Sequence, residues 1–182
     1  MDFKNEELWH DVGEPPMRRL PFGAMPGKTG LYRMTCNPGQ DDELEEWLWK
    51  IWQRENVGLF VDEVSLVPQK AAFKAILRQG RSKRIPVIAC TQRPVDCDRE
   101  VFSESQYRMF YGIEDDRDWQ VIKGLFKGAD VTKPLPPFWS YWYDVRQKAA
   151  LVMRPVPPPR VVAAELRQVV PRSWLLGGAG LG

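Results

Sequence analysis

The chain has 182 residues, 43% of them hydrophobic and 27% charged, which suits one globular domain with a core and excludes a disordered chain. A formal net charge of +2 and a pI near 8.4 are too mild to imply a nucleic-acid partner by themselves. No run of ~18 apolar residues offers a membrane span, and Asp2, Lys4, Glu6 and Glu7 break the pattern of a signal peptide.

Three cysteines, Cys36, Cys90 and Cys97, are an odd number at irregular spacing. They match neither a disulfide framework nor a metal cluster, and they fit a reducing cytosol. His10 is the single histidine, which argues against a zinc site or a histidine-based triad.

Met1-Asp2-Phe3-Lys4 reads as the end of a strand with no beginning. Asn5 is a cap for a short helix over residues 6–11. Residues 17–30 read as a loop, rich in proline and glycine. Inside it, Gly23-Ala24-Met25-Pro26-Gly27-Lys28-Thr29 imitates a phosphate-binding loop. The imitation fails on spacing, because one residue is missing between the glycines. It also fails on context, because Arg18-Arg19-Leu20-Pro21-Phe22 is no buried strand and Gly30 follows where a helix should start.

Leu31-Tyr32-Arg33-Met34 alternates as a short strand would. A helix is expected from Asp41 or Asp42 to about Glu55, with Leu44, Trp47, Leu48, Ile51 and Trp52 on one face. Asp42 and Glu45 resemble a capping box.

Val57-Gly58-Leu59-Phe60-Val61 is an apolar run ending in Asp62 and Glu63. Such runs read as parallel strands buried on both faces. Ligands in open α/β sheets bind at the carboxyl ends of strands. Two carboxylates there suit a phosphate–metal site, one holding Mg²⁺ and one polarising the attacking water. Solvated acids at a strand end are the plain alternative.

Gln69 to Gln79 is expected to be helical, with Gly80 as its stop. Arg78, Arg81, Lys83 and Arg84 form a basic cluster, either functional or a solvated helix end. Ile85 to Cys90 is the second buried strand, followed by Thr91-Gln92-Arg93-Pro94. In a parallel sheet Gln92 would share a rim with Asp62 and Glu63. Tyr107 to Tyr111 is a third strand, and Glu114 to Phe126 a helix. Residues 138–144 and 149–153 suit a hairpin, residues 154–159 an extended stretch, and residues 161–170 a short helix before a flexible tail.

Three segments then stand in a recognisable order: Gly58 to Glu63, Leu77 to Ala89 with its Gly-Arg step, and Cys90-Thr91-Gln92-Arg93-Pro94. Together they resemble the FtsK/HerA-like family of DNA-pumping P-loop ATPases, which includes phage packaging and Zot-like proteins. The likeness runs over about residues 1–144 and is sharp from Val57 to Pro94.

That resemblance implies α/β architecture: a partial three-layer RecA-like sheet, mostly parallel, with a C-terminal β-hairpin. Residues 1–153 would form the partial P-loop domain, and residues 154–182 a proline-rich extension and tail. Asp62 matches the Walker B aspartate that supports Mg²⁺. Glu63 matches the glutamate that activates water. Gln92 matches the sensor of the γ-phosphate, with Thr91 beside it at the nucleotide. Arg81 matches a basic position near the subunit interface. Arg108 and Arg117 fall in the family's downstream arginine region. The family implies ATP and Mg²⁺, a homo-oligomeric ring or intact ATPase subunits as partners, double-stranded DNA, and a cytoplasm, including that of a phage-infected host.

The departure from the family is the Walker A loop, which would precede the segment resembling Met1 to Glu6. Met1 then reads as an internal methionine of a longer ATPase or as the start of a shortened gene. Two functions stay open: the C-terminal part of a DNA-translocating motor ATPase, or a non-hydrolysing module that docks on DNA or an intact ATPase. A nuclease using Asp62 and Glu63 lacks further clustered acids. Without a Walker A strand, Ile85–Cys90 is expected to pair directly with Tyr107–Tyr111.

Overall fold

The computed structural model describes Met1 and residues 17–27, 29–37, 39–68 and 70–169. The expected strand end at 2–4, the helix at 6–11, His10, Lys28 and the tail lie outside the described residues. By internal contacts the chain divides into two units. One is Met1–Cys90 with the described stretch from Pro157, and the other is Thr91–Val156.

In the first unit, β1 (Met17–Leu20) pairs in parallel with β2 (Leu31–Met34). Residues 17–20 are thus a strand, where the sequence reads as loop. The pairing partner lies beyond local pattern, and the Arg18 guanidinium rests 5.9 Å from the Tyr32 ring centre. Helix α1 (Asp41–Arg54) buries Leu44, Trp47, Leu48 and Ile51 as their spacing requires. The capping box does not form. Asp42 instead bonds Lys70, and Glu45 Oε1 accepts the Ala72 amide at 2.9 Å. Ala72 lies in the first turn of α2 (Ala71–Gln79), so a side chain of α1 satisfies an orphan donor of α2.

Helix α2 buries Ala72, Phe73 and Ile76. It stops at Gly80, but not by the left-handed route, since Gly80 has φ −56°. The glycine is required by crowding: a Cβ there would stand 2.8 Å from the Ile85 carbonyl oxygen. β3 (Leu59–Val61) and β4 (Val87–Ala89) pair in parallel, with Leu59 opposite Val87 and Val61 opposite Ala89. Leu59 and Val61 are buried, but Phe60 is 45% and Ile88 60% exposed. The run is therefore buried on one face only, because successive strand residues point to opposite faces and the Phe60–Ile88 face is left to water.

In the second unit, a 3₁₀ turn (Pro94–Asp96) and α3 (Arg99–Ser103) lead to β5 (Tyr107–Phe110). Helix α4 (Asp116–Leu125) follows, then the hairpin β6 (Ser140–Asp144) and β7 (Ala149–Met153). The hairpin is the expected one. β5 joins it antiparallel, Arg108 opposite Tyr143, and makes no ladder with β4 among the described residues. The expected direct pairing of Ile85–Cys90 with Tyr107–Tyr111 is therefore not among these ladders. The sheets are a parallel β1–β2 pair, a parallel β3–β4 pair, and an antiparallel β5–β6–β7 sheet. Aromatic packing decides the pairing of β5: Phe110 stacks on Tyr141 at 5.3 Å and meets Phe126 at 4.6 Å. Ile122, Val131 and Tyr143 complete that core. Helix α5 (Pro159–Val169) ends the described chain, and no helix among the described residues is long and apolar enough to cross a membrane.

Candidate active site

The site is built on the carboxyl ends of β3 and β4. The Cys90 amide donates to the Val61 carbonyl at 2.8 Å, and the Val64 amide to the Cys90 carbonyl at 2.8 Å. These bonds extend the ladder past both strands and hold the two ends in step. Asp62 and Glu63 leave one strand there, and Thr91 and Gln92 leave the other. On β3's second edge, the Met1 ammonium donates to the Phe60 carbonyl, and the Asp62 amide donates to the Met1 carbonyl at 3.1 Å. Asp62 is thereby fixed at its backbone, with its side chain half-buried.

Glu63 is 6% exposed. A buried carboxylate requires hydrogen-bond donors, because desolvation opposes its charge. Ser65 supplies one, its hydroxyl reaching Glu63 Oε1 at 2.8 Å. The 3₁₀ turn Val64–Leu66 puts Ser65 there, closed by the Leu66 amide on the Glu63 carbonyl at 3.1 Å. The sequence reading missed Ser65; an acid followed two residues later by serine was the available signal.

Thr91 is half-buried and Gln92 exposed. The Thr91 hydroxyl oxygen accepts the Arg93 amide at 3.0 Å. Arg81 is exposed and precedes β4, whose amino end lies at the opposite rim from its carboxyl end. The chain therefore does not bring its own Arg81 to its own carboxylates.

Arg108 turns inward. Its guanidinium donates to the Leu125 carbonyl and, at 2.8 Å, to the Phe102 carbonyl. It completes the carboxyl end of α4, where cations suit the helix dipole. Burial pushes its pKa down. Arg117 is exposed in the first turn of α4, its amide held by Asp115 at 2.9 Å. Asp118 was also missed: it is 2% exposed and ion-paired to Arg93 at 3.1 Å.

The tempting Gly23–Thr29 segment runs between two strands rather than into a helix. Three of its carbonyls turn toward α1: Ala24 accepts the Trp47 indole N–H at 2.8 Å, and Pro26 and Gly27 accept Arg54, the latter at 2.7 Å. A phosphate loop would have to present amides.

Among the described residues, no three of His, Cys, Asp and Glu cluster as a metal cage. The Asp62–Glu63 pair fits Mg²⁺ all the same. Mg²⁺ in phosphoryl sites takes one or two carboxylates, with water and substrate phosphate supplying the rest.

No protein-family model matches the chain. The chain is 38% identical over 151 residues to the DNA packaging ATPase P9 of Enterobacteria phage PRD1, covering 76% of this chain and 66% of that protein, just under two thirds. Its fold is similar to the genome packaging NTPase B204 from Sulfolobus turreted icosahedral virus 2. With the AMPPCP complex the TM-score is 0.63 at 18% identity, over 72% of this chain and 69% of that one. With the ATP-gammaS complex it is 0.60 at 19% identity, over 75% of each. With the sulfate complex it is 0.61 at 14% identity, over 86% of this chain and 94% of that one.

Proposed function

We propose that this chain, a homologue of viral DNA-packaging ATPases, carries the Walker B and sensor elements of a P-loop motor that moves double-stranded DNA by hydrolysing ATP. The observation that carries the reading is the end of the β3–β4 pair: Asp62-Glu63 follow β3, and Cys90, bonded to Val61 and Val64, leads the neighbouring strand into Thr91-Gln92.

Bound Mg²⁺ would neutralise charge developing on the phosphate oxygens. Asp62, at the strand end, would hold it directly or through water. Glu63, kept oriented by Ser65, would take the proton of the attacking water and align it for in-line attack. Gln92, at the end of the adjacent strand, would contact the γ-phosphate, with Thr91 beside it. Arg81, at the opposite rim, would serve a neighbouring subunit's nucleotide in a homo-oligomeric ring. The phosphate cradle itself is assigned to no residue here, since the Ala24, Pro26 and Gly27 carbonyls are given to α1.

The alternative is a docking module of the same descent that hydrolyses nothing. One variant separates the two. In the ATP-hydrolysing assembly containing this chain, Glu63→Gln is expected to keep nucleotide binding and slow turnover by about 10²–10⁴-fold. Full turnover in Glu63→Gln would leave only the docking role.

A further inference from the structure

Acids in the first turn of a helix ordinarily stay in water, where they face the helix dipole. Asp115 and Asp116 do so at the start of α4. Asp118, in the same turn, is buried instead. Both of its oxygens are given to the segment that follows Gln92. Oδ1 accepts the Val95 amide at 2.8 Å, and Oδ2 meets Arg93 Nε at 3.1 Å. Asp115 stands 3.8 Å from the same guanidinium.

Thr91 holds the other side, its hydroxyl oxygen on the Arg93 amide. The 3₁₀ turn beginning at Pro94 stiffens the next three residues. Gln92 is thus followed by a backbone pinned at Arg93 and Val95, while Gln92 itself is exposed. A sensor needs such a base: a contact group loses rate when the backbone that carries it shifts by an ångström.

We propose that Asp118 is a positioning residue for hydrolysis: through Arg93 and Val95 it fixes the backbone from which Gln92 reaches the γ-phosphate. The inference rests on the reading of Gln92 given above. Asp118 touches neither nucleotide nor water, and acts only through the Gln92 segment. The pairing also ties that segment to the helix start that carries Arg117.

The test is a cycle of variants in the ATP-hydrolysing assembly. Asp118→Ala is expected to lower kcat about 10–100-fold with the KM for Mg²⁺-ATP little changed. Added to Gln92→Ala, it should cost less than about twofold more, because the residue through which it acts is already gone. Asp118→Asn, which is isosteric and retains an acceptor for Val95, repeats the cycle if the alanine variant fails to fold. Equal losses with and without Gln92 would mean a merely structural Asp118 and overturn the inference. So would normal turnover in both Asp118 variants while Glu63→Gln is slow. Full turnover in Glu63→Gln overturns the functional reading itself, independently of Asp118.

Discussion

Cys90 gives its amide to the carbonyl of Val61 at 2.8 Å, although neither residue carries chemistry of its own. The bond sets the register in which a pair of carboxylates and a glutamine segment leave adjacent strands. A slip of one residue would turn every side chain of a strand to the other face. The site thus depends on a backbone ladder before it depends on any side chain.

Ser65 is the first place to test that dependence. Its hydroxyl is bound to the buried Glu63 at 2.8 Å. A hydrogen bond to a charged group contributes ~1.5–3 kcal/mol, which is roughly 10–100-fold in rate if it orients the base. Ser65→Ala is expected to keep nucleotide affinity and lower turnover by about that factor. Ser65→Thr, which retains the hydroxyl, should stay near the parent. Steady-state turnover beside nucleotide titration decides it, and an unimpaired Ser65→Ala would remove Ser65 from the site.

Arg81 offers a test of assembly. It precedes the amino end of β4, whereas Asp62 and Glu63 follow the carboxyl end of β3, so a nucleotide served by Arg81 would belong to another copy. Arg81→Ala should lower turnover without changing the unfolding transition. Rings mixed from Arg81→Ala and Glu63→Gln subunits should regain part of it, since some interfaces then hold both groups. If every mixing ratio falls at or below the two parents, the trans assignment is wrong.

Arg108 should matter to stability and not to chemistry. Its fork satisfies the Leu125 and Phe102 carbonyls together. Arg108→Met leaves those acceptors without it, at ~2–3 kcal/mol. The thermal midpoint is expected to fall by roughly 5–10 °C. Arg108→Lys should recover little, because a single ammonium cannot reproduce the planar fork. A calorimetric scan of the three proteins is sufficient.

Acid should loosen α4 at its cap. The Asp115 carboxylate accepts the Asp118 and Arg117 amides, which holds its pKa below the ordinary value of 3.8. A depressed folded value means stabilisation is complete above about pH 3.8 and is lost as pH falls through the folded value. Asp42 and Glu55, bonded to Lys70 and Lys83, and Asp130, bonded to Thr132, are lowered too and add to the trend. The melting temperature should therefore fall as pH drops below about 4. Asp115→Asn keeps the cap without the titration, so its decline should be shallower. An identical pH profile for the two proteins would contradict this.

The legible parts of the fold were those set by short-range pattern. Leu44, Trp47, Leu48 and Ile51 announced α1, and β3, β4 and the hairpin stood where alternation or apolar runs placed them. Asp115 is the cap ahead of α4, inside the acidic run that suggested a helix start. What escaped was long-range. Nothing near Met17–Leu20 shows that Leu31–Met34 will pair with it. Glu45 looked committed to its own helix and serves α2 instead. Asp118 and Asp116 look alike in sequence, and only the approach of Arg93 separates a buried acid from a wet one. The candidate site divides the same way: its proposed acids and glutamine stand at strand endings legible in sequence, while the contacts of Ser65 and Asp118 depend on tertiary placement.

Phe60 and Ile88 lie opposite each other across β3 and β4, and both stay in water after folding. Most proteins are at their stickiest when unfolded; this one keeps a greasy spot on display in its native state. Its solubility ceiling should then be governed by concentration and salt more than by heat. Sulfate should salt it out early, since such ions strengthen apolar association. Ile88→Lys should raise the ceiling, because charge on an exposed strand face discourages stacking between molecules. Handling conditions that protect a melting temperature would do nothing for a preparation that clouds while still folded.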